Sequence, residues 1–156
     1  MKRFIQSFKD AFRGIYVTIK SERNIKVMIA GMLFMIVAGI LVKIAAWEWA
    51  AIVLCFALVL SLELHNTAIE ALGDAITLEQ NEYVGHAKDA GSGSVLIASI
   101  CAFLIGCITF LNNETRPLLV DSIMKYNWIW AANLAVFLII IAGAIEEDKR
   151  SHDDKK

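Results

Sequence analysis

Four long apolar stretches constrain this 156-residue chain more than any other feature. They run from about Ile25 to Ala46, from Trp49 to Leu62 and on into a polar face at Glu63, from Val95 to Leu111, and from Trp128 to Ile145. A helix needs roughly 20 apolar residues to cross a bilayer, with ~17 near the lower limit. The composition agrees: 58% of residues are hydrophobic, and the charges gather in the N-terminal stretch, around the middle polar stretch and in the tail, where a soluble chain would scatter them. The expected fold is all-α: an integral membrane helical protein in which an N-terminal surface helix precedes three spans and a fourth. With one proline, Pro117, and no Pro- or Ser-rich linker or internal repeat, a single domain is expected.

Basic residues set the orientation. Lys2, Arg3, Lys9, Arg13, Lys20 and Arg23 precede the first span with Lys26 at its edge, and Lys149, Arg150, Lys155 and Lys156 follow the last. Positive flanks favour the cytoplasm, and four spans return the chain to the side it left. Both termini are therefore expected inside. The short connection around Trp47 to Trp49 and the longer loop from Asn112 to Tyr126 then face outward, and the polar stretch from Asp74 to Ser94 faces inward. Phe4, Phe8, Phe12, Ile15 and Ile19 recur at helical spacing with charges between them, which reads as an amphipathic helix on the inner leaflet. No cleavable signal is expected, since basic residues precede a full-length span. Cys55, Cys101 and Cys107 fall inside apolar runs and read as packing residues.

Glu63, Asn66, Glu70 and Asp74 lie at offsets of three, seven and eleven, which puts them on one helix face. The second span is long enough only if the turns from Glu63 to Leu72 reach membrane depth, so this face lies at a membrane–water boundary. Ionisable groups there are expensive and are kept for chemistry or transport. Glu63, deepest in its helix, suits a general base that takes a proton from an alcohol. Glu70, with Glu22 from another segment, offers the carboxylate oxygens that Mg²⁺ prefers, and Asn66 can donate and accept between them. Farther on stand Glu79, Glu82, His86, Lys88 and Asp89, then Gly91, Ser92, Gly93 and Ser94 where the third span is expected to open. A lysine followed by small residues at a helix start offers an ammonium and free N–H groups to a phosphate. Base, metal carboxylates and phosphate cradle are the parts of a phosphoryl-transfer site. The same polar face could instead pack against polar helices in an oligomer, or bind or conduct cations. A cluster at one depth fits an enzyme better than an ion path, which would spread polar groups through several spans.

The run Glu63-Leu-His-Asn-Thr-Ala-Ile-Glu70-Ala-Leu-Gly-Asp74, followed by Ala87-Lys88-Asp89-Ala-Gly-Ser-Gly-Ser, resembles the signature of the small bacterial integral-membrane lipid kinases, the prokaryotic diacylglycerol kinases and undecaprenol kinases. Phe8, Ala11, Gly14 and Glu22-Arg23-Asn24 extend the resemblance, which covers about residues 4 to 111. It implies transfer of the γ-phosphoryl of ATP to a lipid alcohol in the bacterial inner membrane, on its cytoplasmic side, by a homotrimer whose subunits share sites. Residue by residue, it implies Glu63 as general base; Glu22 and Glu70 as Mg²⁺ carboxylates; Arg13, Glu22, Glu70, Glu79, Lys88 and Asp89 around the nucleotide; and Glu63, Asn66 and Ala68 at the lipid. No nucleic-acid partner is expected.

The resemblance divides the chain into a lipid kinase unit, 1–111, and an accessory part, 112–156, made of the outward loop, the extra span and a charged cytoplasmic tail. Family members typically end after three spans, so the fourth is a departure. So are His65 and His86, which read as packing or surface residues because no second histidine or cysteine is spaced to share a metal. Ala11-Phe-Arg-Gly-Ile with Glu22-Arg-Asn is similar to the undecaprenol branch, and Lys88-Asp89-Ala-Gly-Ser-Gly-Ser is closer to the diacylglycerol branch. The sequence leans slightly to diacylglycerol as acceptor, with undecaprenol as the alternative.

Overall fold

Without water to satisfy backbone groups, a chain this apolar can cross lipid only as helices or a closed barrel, and its apolar runs lack the alternation of barrel strands. The computed structural model describes residues 1–77, 79 and 81–153, with side chains described as far as residue 147. Lys155 and Lys156, and the side chains of Lys149 and Arg150, which entered the orientation argument, lie outside the described residues. Six helices follow in order among the described residues: α1 Lys2–Ser21, α2 Arg23–Val42, α3 Ala46–Ile76, α4 Glu82–Leu111, α5 Thr115–Lys125 and α6 Asn127–Asp153. Among the described residues there is no strand. Four helices among the described residues are long and apolar enough to span: Arg23–Val42, Ala46–Ile76, Glu82–Leu111 and Asn127–Glu147. The protein is a multi-pass membrane protein with the fourth span its sequence announced.

Helix α1 has no buried residue, and Phe4, Phe8 and Phe12 stand exposed along it, as an amphipathic surface helix requires. It breaks from α2 at Glu22, whose backbone is extended (φ −96°, ψ 118°). The first connection falls earlier than expected. Lys43 takes a left-handed conformation (φ 59°, ψ 50°) that ends α2, and Trp47 to Trp49 already belong to α3. This turn is tight because Gly39 has no side chain: a Cβ there would stand 2.8 Å from the Trp49 ring.

Two expected loops are mostly helical. The stretch Asp74–Ser94 breaks only between Ile76 and Glu82, and Asn112–Tyr126 holds α5. Both breaks are set by asparagine caps. Asn81 Oδ1 accepts the Tyr83 and Val84 amides at 3.0 and 3.3 Å, and Asn112 Oδ1 accepts those of Glu114 and Thr115 at 2.9 and 2.7 Å. Pro117 falls in the first turn of α5, where its missing N–H breaks no helical bond.

Helices α3 and α4 form the principal pair, and α6 packs along α2. The apolar core, Ala38, Val42, Ile44, Ile52 and Phe110, lies where α2 and α4 end and α3 begins. Beside it Glu48 is buried at 3% exposure and fully used: it accepts the Ala45 N–H at 2.7 Å, the Asn112 amide at 3.2 Å and the Thr115 hydroxyl at 3.4 Å. A carboxylate taken this far from water persists only with such partners. Glu48 thereby ties the α2–α3 turn to the start of α5. The remaining carboxylates of α3 lie toward the other end.

Candidate active site

At about 1.5 Å per residue, the 31 residues of α3 extend beyond a ~30 Å hydrocarbon layer. Its last turns therefore carry their polar face to the boundary. Along that face exposure rises stepwise. Glu63 is 2% exposed, Asn66 8%, Glu70 half-buried and Asp74 exposed.

Glu63 lies within electrostatic reach of two other carboxylates, Glu22 from the α1–α2 break and Glu70, and of the Asn24 side chain. Asn66 Nδ2 donates to Glu70 Oε1 at 2.9 Å, fixing the second carboxylate one turn on. Glu22 and Glu70 are half-buried, and a cation near these carboxylates would offset the repulsion of their like charges. Among the described residues no three His, Cys, Asp or Glu side chains converge as a closed metal cage. Mg²⁺ is held by one or two carboxylates and takes its other oxygens from phosphates and water. Glu22 and Glu70 are the pair that flanks Glu63.

Helix α4 closes one side of this group. A Cβ on Gly91 would stand 2.6 Å from Asn66 Oδ1, so the missing side chain sets how closely α4 approaches. Ser92 Oγ donates to the same oxygen at 3.5 Å. The expectation that Gly91 to Ser94 open a helix and present free N–H groups is thus corrected. Asn81 starts α4 well before them, and their amides are bonded within the helix. Nearer the α3–α4 turn, Lys88 Nζ pairs with Asp74 Oδ1 at 2.5 Å. The stem of Lys88 crosses Gly73, where a Cβ would meet Lys88 Cε at 2.7 Å. Asp74 and Lys88 line a polar cavity of about 540 Å³ with Thr77, Glu79, Asn81 and Glu82.

On the apolar side a cleft of about 470 Å³ runs between α2, α3 and α4, lined by Met28, Met35, Val59, Phe103 and Phe110 among others. Val59 is one turn from Glu63 on the same face. Cys55 and Cys107 line this cleft as free thiols, in keeping with a packing role.

The structure therefore brings Glu22, Glu63, Asn66 and Glu70 together, and Glu79 and Lys88 around the polar cavity. Arg13, Ala68 and Asp89 are exposed and line neither cavity. His65 Nδ1 lies 2.6 Å from the Ser61 carbonyl and His86 is exposed, so neither joins the carboxylates. Sequence reasoning gave Asn24 and Gly73 no role of their own in the site, and gave Gly91 a phosphate-cradle role that the structure replaces with close approach to Asn66. The place of Asn24 two residues after Glu22 was the one signal for it.

Fold and site together define a multi-pass helical membrane protein with a carboxylate cluster at one end of its bundle, between an apolar cleft and a polar cavity. Residues 9–110 match the profile of the prokaryotic diacylglycerol kinase family, and the chain belongs to that family. Its relatives include an undecaprenol kinase of Bacillus subtilis (strain 168), 38% identical over 111 residues that make up 71% of this chain and 90% of that protein. A diacylglycerol kinase of Synechocystis sp. (strain PCC 6803) is 34% identical over 102 residues, 64% of this chain and 58% of the relative. The diacylglycerol kinase of Escherichia coli (strain K12) is 51% identical over 51 residues, 33% of this chain and 42% of the relative. No solved structure matches the chain. This is a lipid kinase, with ATP as co-substrate, and the fourth span lies outside the matched region.

Proposed function

We propose that the protein transfers the γ-phosphoryl of ATP to the hydroxyl of a membrane lipid alcohol, with Glu63 as the general base. The observation that carries this reading is the position of Glu63, buried within electrostatic reach of Glu22 and Glu70 and one turn from an apolar cleft. A lipid whose chain lies in that cleft brings its hydroxyl to Glu63. The carboxylate takes the hydroxyl proton, the oxygen attacks the γ-phosphorus, and the bond to the β-phosphate oxygen breaks to release ADP. Glu22 and Glu70 would hold Mg²⁺, which supplies neutralisation of phosphate charge. Lys88 and Glu79 line the cavity assigned to the nucleotide, and Arg13 and Asp89 are assigned to the nucleotide by the family resemblance. Asn66 orients Glu70, and Ala68, exposed on the opposite face of α3, is assigned to the lipid by the family resemblance. Residues 1–111 form the kinase unit and 112–156 the accessory part. The enzyme works as a homotrimer with shared sites in the bacterial inner membrane, with its active site on the cytoplasmic face.

Two acceptors fit. Undecaprenol is favoured by the relative of that name, which this chain covers over most of its length. Diacylglycerol is favoured by the higher identity of the shorter match. Radiolabelled ATP with Mg²⁺ in mixed micelles holding one lipid or the other distinguishes them: label enters one phosphorylated lipid, and labelling of neither by folded protein would overturn the proposal. In the same assay Glu22→Gln and Glu70→Gln are each expected to raise the Mg²⁺ concentration for half-maximal rate by roughly 100-fold, since losing even an outer partner of a metal ligand can cost that much. The lipid KM should hold. An unmoved Mg²⁺ titration would remove these residues from the metal site.

A further inference from the structure

The fourth span lies beyond the matched residues, yet it is the main neighbour of the helix that carries Asn24 and begins at Glu22. α2 packs more extensively on α6 than on α3. The two run antiparallel, tied at points along their length. Asn133 Nδ2 donates to the Phe34 carbonyl at 3.2 Å, and the Phe34 ring meets those of Trp130 and Phe137 at 6.3 and 5.5 Å. At the end nearest the carboxylates, Lys26 Nζ pairs with Glu147 Oε2.

Lys26 stands one turn after Glu22, and Ile25 beside it is 1% exposed, so this first turn of α2 is packed. The Glu22 side chain makes no capping bond to its own helix, and its described hydrogen-bond partner is the neighbouring Ser21 hydroxyl at 3.4 Å. Where Glu22 stands relative to Glu63 and Glu70, on another helix, therefore depends on how the first turn of α2 is held. The Lys26 side chain is 25% exposed at the membrane boundary. Without its partner, that ammonium would extend toward headgroups or water and draw the turn with it.

We propose that Glu147 is a positioning residue of the phosphoryl-transfer site: by pairing with Lys26, the fourth span holds the first turn of α2 and with it Glu22 and Asn24. The inference rests on the reading of Glu22 as a metal carboxylate. It gives α6 a role that the three-span architecture must fill in some other way.

The test uses full-length protein in detergent–lipid micelles and has two readouts. In metal-free protein, hydrogen–deuterium exchange over residues 20–30 should be about 5-fold faster in Glu147→Gln, because a local opening has become easier, while residues 95–110 stay unchanged. In phosphoryl transfer, the Mg²⁺ concentration for half-maximal rate should rise about 10-fold at unchanged lipid KM, the size of effect that loss of an outer partner brings. A merely structural loss would lower the rate without moving that midpoint. Lys26→Glu should act as Glu147→Gln does, and the exchanged pair Lys26→Glu/Glu147→Lys should restore both readouts. Exchange and Mg²⁺ titration matching wild type in Glu147→Gln, or an exchanged pair that stays displaced, would overturn the proposal. With Glu22→Gln measured alongside, the two levels separate. A midpoint moved by Glu22→Gln and not by Glu147→Gln removes Glu147 alone, whereas a midpoint moved by neither removes the metal reading of Glu22 and this inference with it.

Discussion

Replacing Glu63 with glutamine is expected to lower phosphoryl transfer by at least ~10²-fold while the protein remains folded. Glutamine has nearly the shape of glutamate, and its carbonyl oxygen can still accept a hydrogen bond. What it lacks is a carboxylate able to take a proton from the lipid hydroxyl. The substitution also removes a buried carboxylate that lies within electrostatic reach of two others, so the variant should melt no lower than wild type in detergent. Rate and stability thus move apart. A residue that served only to hold helices together would show the opposite pattern, with stability falling first and activity following it. Initial rates beside thermal melts decide the matter, and a folded Glu63→Gln protein within tenfold of the wild-type rate would remove Glu63 as the base.

The spans and the carboxylate face were legible because both rest on strong periodic signals. Runs of about 20 apolar residues have few alternatives, and Glu63, Asn66, Glu70 and Asp74 repeat at helical spacing through a segment already bound to be helical. The connections were less legible. Hydropathy locates where a helix leaves lipid, not where it ends, so polar turns of α3 and α4 beyond the hydrocarbon read as loop. Lys43 ended α2 inside an apolar run because its left-handed backbone is a property of the turn, which residue type announces weakly. α5 was missed because a polar, proline-bearing segment can still be a helix when the proline falls in its first turn. Chemistry and the family resemblance pair Glu22 with Glu70 in the sequence, but nothing in the periodicity shows that Glu22 and Glu63 converge, since residues far apart in sequence meet by packing. The pairing of α6 with α2 had no sequence signal at all: Lys26 and Glu147 are ordinary boundary charges until the bundle sets them side by side.

Gly91 and Gly93 belong to one short run of small residues, and the structure separates them. A Cβ on Gly91 meets Asn66 Oδ1 at 2.6 Å and Ile69 Cδ1 at 3.4 Å, whereas a Cβ on Gly93 meets nothing within 4 Å. Asn66 has little room to yield, because it is 8% exposed and its amide is committed to Glu70 at 2.9 Å. Gly91→Ala must therefore turn the Asn66 side chain or push α4 away from α3, an overpacking cost of about 1–3 kcal/mol. Either response displaces Glu70. Misplacing a reacting group by about 1 Å can cost ~10²-fold in rate, so Gly91→Ala is expected to be among the most damaging single-methyl changes in the chain. Gly93→Ala adds the same methyl to the same helix and should keep activity within about twofold, with up to ~1 kcal/mol of added stability from the better helix former. Melting temperatures and rates of the two variants measured together isolate the contact from the general effect of filling a helix glycine. Equal behaviour would mean that the run is only a tolerant stretch of helix, and that the close approach of α4 to Asn66 does not govern the site.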